Sequence, residues 1–452
     1  MGGSREAVAA GSLVSDRAII RAEAGLIARR QVIYVSGYDP QGAEGYYRLF
    51  ARSWKRFLTM WPLATRLGPL ELDSEEFAHW MIETAGPNWQ VSTRYEFLRQ
   101  EHMIRANMAE PMRLQAPRAL AWALDYLVSG ALVRVLRTSW QFGLVLIYFQ
   151  MMLIGWIVLS LAGGSLAGYI AVQSGLPVLA ALPLGIACTF AVFTLLRPLA
   201  DRWFVVQINN HWPHLCEFAR GEPSCFDRPI EACAERLVAA ARAKEADEII
   251  VVGHSGGGAL APAVVVRALE LDPDVGRRGV PLVLLTLGSI APGAALHPKA
   301  VRLRALAARL AAEPSILWVD CQSRVDVMNF WDFDPVEGIG ARPGAARCNP
   351  WIWMLRFRDM LSPHFFRRLR FHFFRLHYQF IMANDRRARY DYFMLLTGPI
   401  PVATWARQDY EAMMAFEEDA TLVEDRLPSF DVQDRRMTDY RRPIAGSNLA
   451  PS

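Results

Sequence analysis

Glu248 to Ala261 reads EIIVVGHSGGGALA, and this stretch decides the fold. Glu248 to Val252 is a short apolar run, which predicts a strand buried on both faces. Gly253 to Gly258 is a glycine turn, and Ala259 to Leu271 predicts a helix. Within the turn, Gly253-His254-Ser255-Gly256-Gly257 fits G-x-S-x-G in a strand–turn–helix setting, as a nucleophile elbow requires. The reason is steric. A serine at the tip of so sharp a turn leaves no room for side chains two residues before or after it. Gly253 and Gly257 meet that condition, and Gly256 and Gly258 relax it further. The turn lifts the Ser255 hydroxyl out of the sheet and leaves the Gly256 N–H as one oxyanion donor. The plain alternative is a glycine-rich turn that only packs closely. Dinucleotide and P-loop patterns are absent here.

The segments on either side continue the alternation. Pro229 to Lys244 predicts an amphipathic helix with proline at its first position. Val280 to Leu287 predicts a strand, Ala300 to Ala312 a helix and Ile316 to Asp320 a further strand. Strand and helix in alternation, with apolar strands, predict an α/β fold with a mostly parallel sheet covered on both faces. Nearer the N-terminus, Gln31 to Ser36 predicts a strand, followed by Gly37-Tyr38-Asp39-Pro40. Gly45 to Met60 predicts a helix, Glu71 to Glu83 a polar turn with a short helix, and Trp89 to Phe97 a strand. Ala116 to Arg137 predicts one helix, and Trp203 to Ile208 a short strand.

From Thr138 to Leu196 there is no Asp, Glu, Lys, Arg or His. Phe142 to Leu161 and Leu176 to Leu196 each match the ~20 residues that cross ~30 Å of hydrocarbon. The small, neutral AGGSLAGYIAVQSG between them predicts a short exposed turn, so the pair reads as an integral membrane hairpin. Arg134 and Arg137 before it, and Arg197 and Arg202 after it, place both flanking parts on the cytoplasmic side of a multi-pass inner or plasma membrane protein. The first 20 residues carry no apolar core of a secretory signal. The chain divides into a lead-in (1–28), the first part of the globular body with an amphipathic helix (29–137), the hairpin (138–196), the main body (197–420) and a polar tail (421–452).

Composition excludes other classes. Lys+Arg 49 against Asp+Glu 45 gives a net charge of +4, too small a basic excess for a nucleic-acid binder. Six cysteines, none in a C-x-x-C pair, point neither to a disulfide framework nor to a zinc or redox site. No metal or organic cofactor is implied.

A serine nucleophile needs a histidine base and an orienting carboxylate. Just past the strand at Ile316 to Asp320, Asp326 is the preferred acid, with Asp320, Asp332 and Asp334 as rivals. Of His364, His372 and His377, His377 is preferred because Tyr378 and polar Asn384-Asp385 follow it. His372 comes next, and His364 reads as a helix start after Pro363. The loop at Gly37 and Tyr38 is the candidate source of a second oxyanion amide; an ordinary Asp-Pro turn is the alternative. Trp351 to Phe380 interleaves aromatics with arginine and reads as an interfacial segment or lid, or else as a packed helix with a solvated arginine face.

The run GHSGGGALA resembles the elbow of the α/β-hydrolase superfamily, and most closely that of the class 3 lipases. Leu284 to Ser289 (LLTLGS) resembles the strand ending in Phe-Gly-Ser-Pro in those lipases, with Leu287 for the aromatic and Ile290 for the proline. Arg324-Val325-Asp326-Val327 resembles their Asp-x-Val-Pro acid loop. The resemblance covers Glu248 to Val327 and implies Ser255 as nucleophile, Asp326 as acid and a late histidine as base; it does not extend to the hairpin. With the hairpin it leads to a membrane-anchored serine hydrolase acting on membrane lipids or other acyl esters. An acyltransferase or thioesterase on the same residues, and an inactive scaffold, are the competing expectations.

Overall fold

The computed structural model describes residues 25–344, 347–407 and 409–427. Most of the lead-in and of the polar tail therefore lies outside the described residues. The fold is mixed α/β, built on a nine-stranded, mostly parallel sheet flanked by helices. The first strand, β1, spans Arg29–Val35 and is followed by α1 at Gly42–Phe57. Next come β2 (Ala64–Leu67), β3 (Glu71–Leu72), β4 (Phe77–Ala85) and β5 (Gln90–Leu98), then α2 (Met112–Val128) and α3 (Ala131–Thr138). The long helices α4 (Trp140–Gln173) and α5 (Val178–Arg202) follow, with α6 (Val205–Arg220) and α7 (Asp227–Ala243). The second half holds β6 (Glu248–His254), α8 (Gly257–Leu271), β7 (Leu282–Leu287), α9 (Val301–Ala311), β8 (Ile316–Ser323), β9 (Trp351–Leu355) and α10 (Phe373–His377).

The sheet order is β2-β4-β5-β1-β6-β7-β8-β9, with β3 paired to β4. From β5 to β9 all pairings are parallel; β2, β3 and β4 join by antiparallel pairing at one edge. Alternate residues of the central strands feed two cores. Ile33, Val35, Ile249, Val251, Leu282 and Leu284 face one side, against α7 and α8. Val32, Tyr34, Ile250, Val252, Val283 and Leu285 face the other, against α1 and the C-terminal segments. Burying each such side chain contributes roughly 1.5–3 kcal/mol, so a strand apolar on both faces is held twice over. The chain places β5 on one side of β1 and β6 on the other. In open α/β sheets, the crevice at the carboxyl ends of strands at such a reversal is where ligands bind.

Four sequence expectations are corrected. Residues 77–85 form β4, not a turn and helix: its inner residues pair with β5 and the core outweighs the polar local sequence. Trp203 to Ile208 is not a strand; all but its first two residues open α6, because Val205 and Val206 pack against Leu153 and Trp156 of α4. A six-residue apolar run does not by its period tell strand from buried helix. Ala116 to Arg137 is not one helix, since the chain bends by 73° between α2 and α3, with Gly130 at a positive φ of 72° at the break. Last, AGGSLAGYIAVQSG is not an exposed turn.

That last stretch lies mostly within α4, and the connection to α5 is only Ser174 to Pro177. Its glycines serve close helix packing. A Cβ on Gly164 would strike the Thr189 hydroxyl and come within 2.5 Å of the Gly185 carbonyl, while one on Gly185 would sit 3.0 Å from the Gly164 carbonyl. Small residues that let backbones meet are how membrane helices associate without a hydrophobic drive between them. Trp156 and Phe193 stack across the pair at 4.2 Å. Both helices are long and apolar enough to cross a membrane. The outer surface of α5 is strongly apolar, with Leu179 88% and Leu195 80% exposed.

Trp351 to Phe380 is likewise only partly as expected. Trp351–Leu355 is edge strand β9 of the sheet, and Phe357, Met360 and Leu361 are buried in the second core rather than at an interface. Phe371 is exposed, and Phe374 meets Phe149 and Phe204 beside the hairpin.

Candidate active site

Ser255 follows β6 directly and has a φ of 58°. For a residue with a Cβ, this left-handed conformation costs roughly 1–2 kcal/mol. The surrounding turn holds it there. Ser255 N–H donates to the Leu287 carbonyl (3.0 Å), and its own carbonyl accepts from Gly258 N–H (3.0 Å) and Ile290 N–H (3.3 Å). The glycines of the motif are obligatory. A Cβ on Gly253 would lie 2.5 Å from the Gly257 carbonyl oxygen, and one on Gly257 would collide with the Val35 carbonyl. The close approach of Gly257 to β1 thus seats the start of α8 against the sheet.

The other two elements arrive from far along the chain. His377 closes α10, and its Nδ1 is 2.7 Å from Oδ2 of Asp326. Both residues are buried. Asp326 lies just beyond β8 and is braced on every side. Oδ1 accepts from Met328 N–H (3.0 Å), and Oδ2 also accepts from Asn329 Nδ2 (3.0 Å). Asn329 in turn donates to the Ser323 and Asp326 carbonyls, locking the loop. Nε2 of His377 has no hydrogen-bond partner among the described residues, and His377 lines the same cavity as Ser255. No hydrogen bond joins the two side chains; such contacts are commonly loose before substrate binds.

The rivals stand elsewhere. Asp320 faces Thr286 (2.5 Å) and Gln322 (2.8 Å), and burial pushes its pKa up to about 6. Asp334 pairs with Arg347, and His364 and His372 are exposed. Asp332 does not line the cavity.

His254 lies buried beside His377, their rings 5.0 Å apart. Burial, and then the neighbouring His377, push its pKa well below the usual histidine range. A ring so shifted stays neutral. Gly288, with a φ of 53°, makes room for the imidazole: a Cβ there would lie 3.0 Å from Cε1 of His377 and 2.6 Å from Phe380.

Gly37 and Tyr38 extend from β1 toward the elbow. A Cβ on Gly37 would be 3.2 Å from the Gly256 nitrogen and 3.4 Å from Cβ of Ser255. Among the described residues, neither the Gly256 N–H nor the Tyr38 N–H is engaged in a hydrogen bond. Asp39 pins this loop. Its carboxylate accepts from Gln41 N–H (2.8 Å) and from the hydroxyl of Tyr378 (2.7 Å), the residue after His377. One carboxylate therefore ties the β1 loop to the segment carrying the imidazole.

Ser255, His254, His377, Gly37, Tyr38, Asp39 and Tyr378 border a cavity of about 420 Å³. The part of its wall that comes from α4 is apolar (Phe142, Val145, Leu146 and Phe149) and is joined by Phe204 and by Phe374 of α10, whereas α5 contributes Arg197 and Asp201. Chemically, a serine beside an imidazole that has one nitrogen held by a carboxylate and the other free is equipped for general-base activation of the hydroxyl. Sequence reasoning missed Asn329, Gly288 and His211, which lines the same cavity from α6. Only Gly288 carries a local signal, as the glycine that ends the apolar run LLTLG. Comparisons with protein-family models, with curated proteins and with solved structures find no match to this chain.

Proposed function

We propose that the protein is a membrane-anchored serine hydrolase of lipase or esterase type, with an α/β-hydrolase-type body, that cleaves carboxylic esters of lipid-like substrates. The observation that carries this reading is Ser255 at a φ of 58° on a strand-to-helix turn, in one cavity with the Asp326-held imidazole of His377. In the proposed mechanism Ser255 Oγ attacks the ester carbonyl while His377 Nε2 takes its proton. Asp326 holds Nδ1–H and stabilises the imidazolium. The carbonyl oxygen gains negative charge and is met by the N–H groups of Gly256 and the Gly37–Tyr38 loop. Collapse expels the alcohol, which receives its proton from His377, and water then releases the acid by the same steps. Reaction of the purified, detergent-solubilised protein with a fluorophosphonate probe tests for the activated serine. A folded wild type that neither labels nor hydrolyses any ester would overturn the reading.

The apolar cavity wall contributed by α4 supports a substrate drawn from the bilayer. The charge-free spans flanked by arginines support a two-span protein with its body on the cytoplasmic side. Such a protein should remain in the membrane fraction after an alkaline carbonate wash; full release into the supernatant would overturn the two-span topology.

A further inference from the structure

His211 stands on α6 at the point where three elements of the site converge. It is 4% exposed and lines the cavity; among the described residues neither ring nitrogen has a hydrogen-bond partner, and neither is sealed from the cavity. A ring nitrogen that opens on the cavity is available to hydrogen-bond a ligand there. The edge of the ring faces Gly256: a Cβ there would lie 2.8 Å from Cε1 and 3.1 Å from Nε2 of His211. The ring's flat face stacks on Tyr38 at 5.0 Å with 12° between planes. One turn earlier on α6, Gln207 Nε2 donates to the Tyr38 carbonyl (2.6 Å). That bond fixes the Tyr38 peptide relative to the same helix. His211 is thus clamped between the elbow and the β1 loop, the two proposed sources of oxyanion amides. Burial, and then His214, push its pKa down to about 3, so the ring is neutral and carries one N–H.

We propose that His211 is a third oxyanion donor, whose ring N–H hydrogen-bonds the substrate carbonyl oxygen as it becomes negative. This role rests on the serine-hydrolase reading and adds a side-chain donor that the sequence motif does not contain. No proton changes hands at His211. The Ser255 Oγ–carbon bond forms as the Ser255 proton passes to His377, the carbonyl π electrons move to oxygen, and on collapse His377 gives that proton to the leaving alcohol while His211 keeps its own throughout. A neutral ring suits this task, since it donates without introducing a buried charge that would need its own counter-ion.

The test uses the full-length solubilised protein and 4-nitrophenyl butyrate, with Ser255→Ala, His211→Ala, His211→Gln and His211→Phe. His211→Ala should lower kcat about 10²-fold, with KM changed only a few-fold, as removal of one oxyanion donor does. His211→Gln keeps a donor and should recover at least about tenfold of that loss, whereas His211→Phe keeps bulk without a donor and should not. A purely structural role would make Gln and Phe alike. Should the alanine variant fail to fold, the Gln and Phe pair decides. Turnover by His211→Ala within about threefold of wild type, or equal rates for Gln and Phe, would overturn the role of His211 while Ser255→Ala inactivity keeps the hydrolase reading. An inert, folded wild type would sink both.

Discussion

Ser255→Ala is expected to lower ester turnover by about 10⁴- to 10⁶-fold and to abolish fluorophosphonate labelling. The size of the effect follows from the site. The lost oxygen is the proposed nucleophile, and alanine puts no nucleophilic atom in its place. Binding and the oxyanion donors would persist, leaving residual catalysis over water. Stability should hardly change. Alanine keeps the Cβ, so the cost of holding φ at 58° stays in both states, and the three backbone hydrogen bonds of the turn are unaffected. The measurement is kcat together with the thermal midpoint. A variant retaining a tenth or more of wild-type turnover at an unchanged midpoint would remove Ser255 from the mechanism.

The fold was legible where local pattern and tertiary burial agree. The runs at 249–252, 282–287 and 316–319 are almost wholly apolar and buried because helices cover both faces, so their burial shows without any long-range information. Pattern failed where packing overrode it. Phe77 to Ala85 mixes polar and apolar residues because it is an antiparallel strand near one sheet edge. AGGSLAG looks like a turn by composition, yet its glycines serve helix contact inside α4. The site divides in the same way. An elbow is built from neighbours in the chain, so Ser255 and its glycines are visible as a motif. The surroundings of His377 are made by Gly288, Asp326 and His254, separated from it by 51 to 123 positions where their bonds are measured, and no string around His377 announces them. His211 is harder still, because its neighbours Tyr38 and Gly256 meet it only after α6 folds back from the hairpin.

The carboxylate offers the second large effect. Asp326→Asn is expected to lower kcat about 10⁴-fold while leaving the protein folded. The bonding around this side chain leaves asparagine no good orientation. If its NH₂ takes the place of Oδ2, it faces Nδ1 of His377 and Nδ2 of Asn329, both at donor distance from that atom. His377 must then present Nδ1 as an acceptor, so its proton moves to Nε2, the atom that should receive the proton of Ser255. If the NH₂ takes the place of Oδ1, it opposes the Met328 N–H instead, and two donors meet in a buried loop. The first arrangement inactivates the base and the second strains the loop, at a cost of about 1–3 kcal/mol for an unsatisfied buried group. Asp320→Asn is the matched control, because Asp320 is equally buried but bonds to Thr286 and Gln322 rather than to the imidazole. It should change kcat by less than about tenfold. If Asp320→Asn proved the more damaging in kcat at equal stability, Asp326 would be the wrong acid and the imidazole would have to be oriented in some other way.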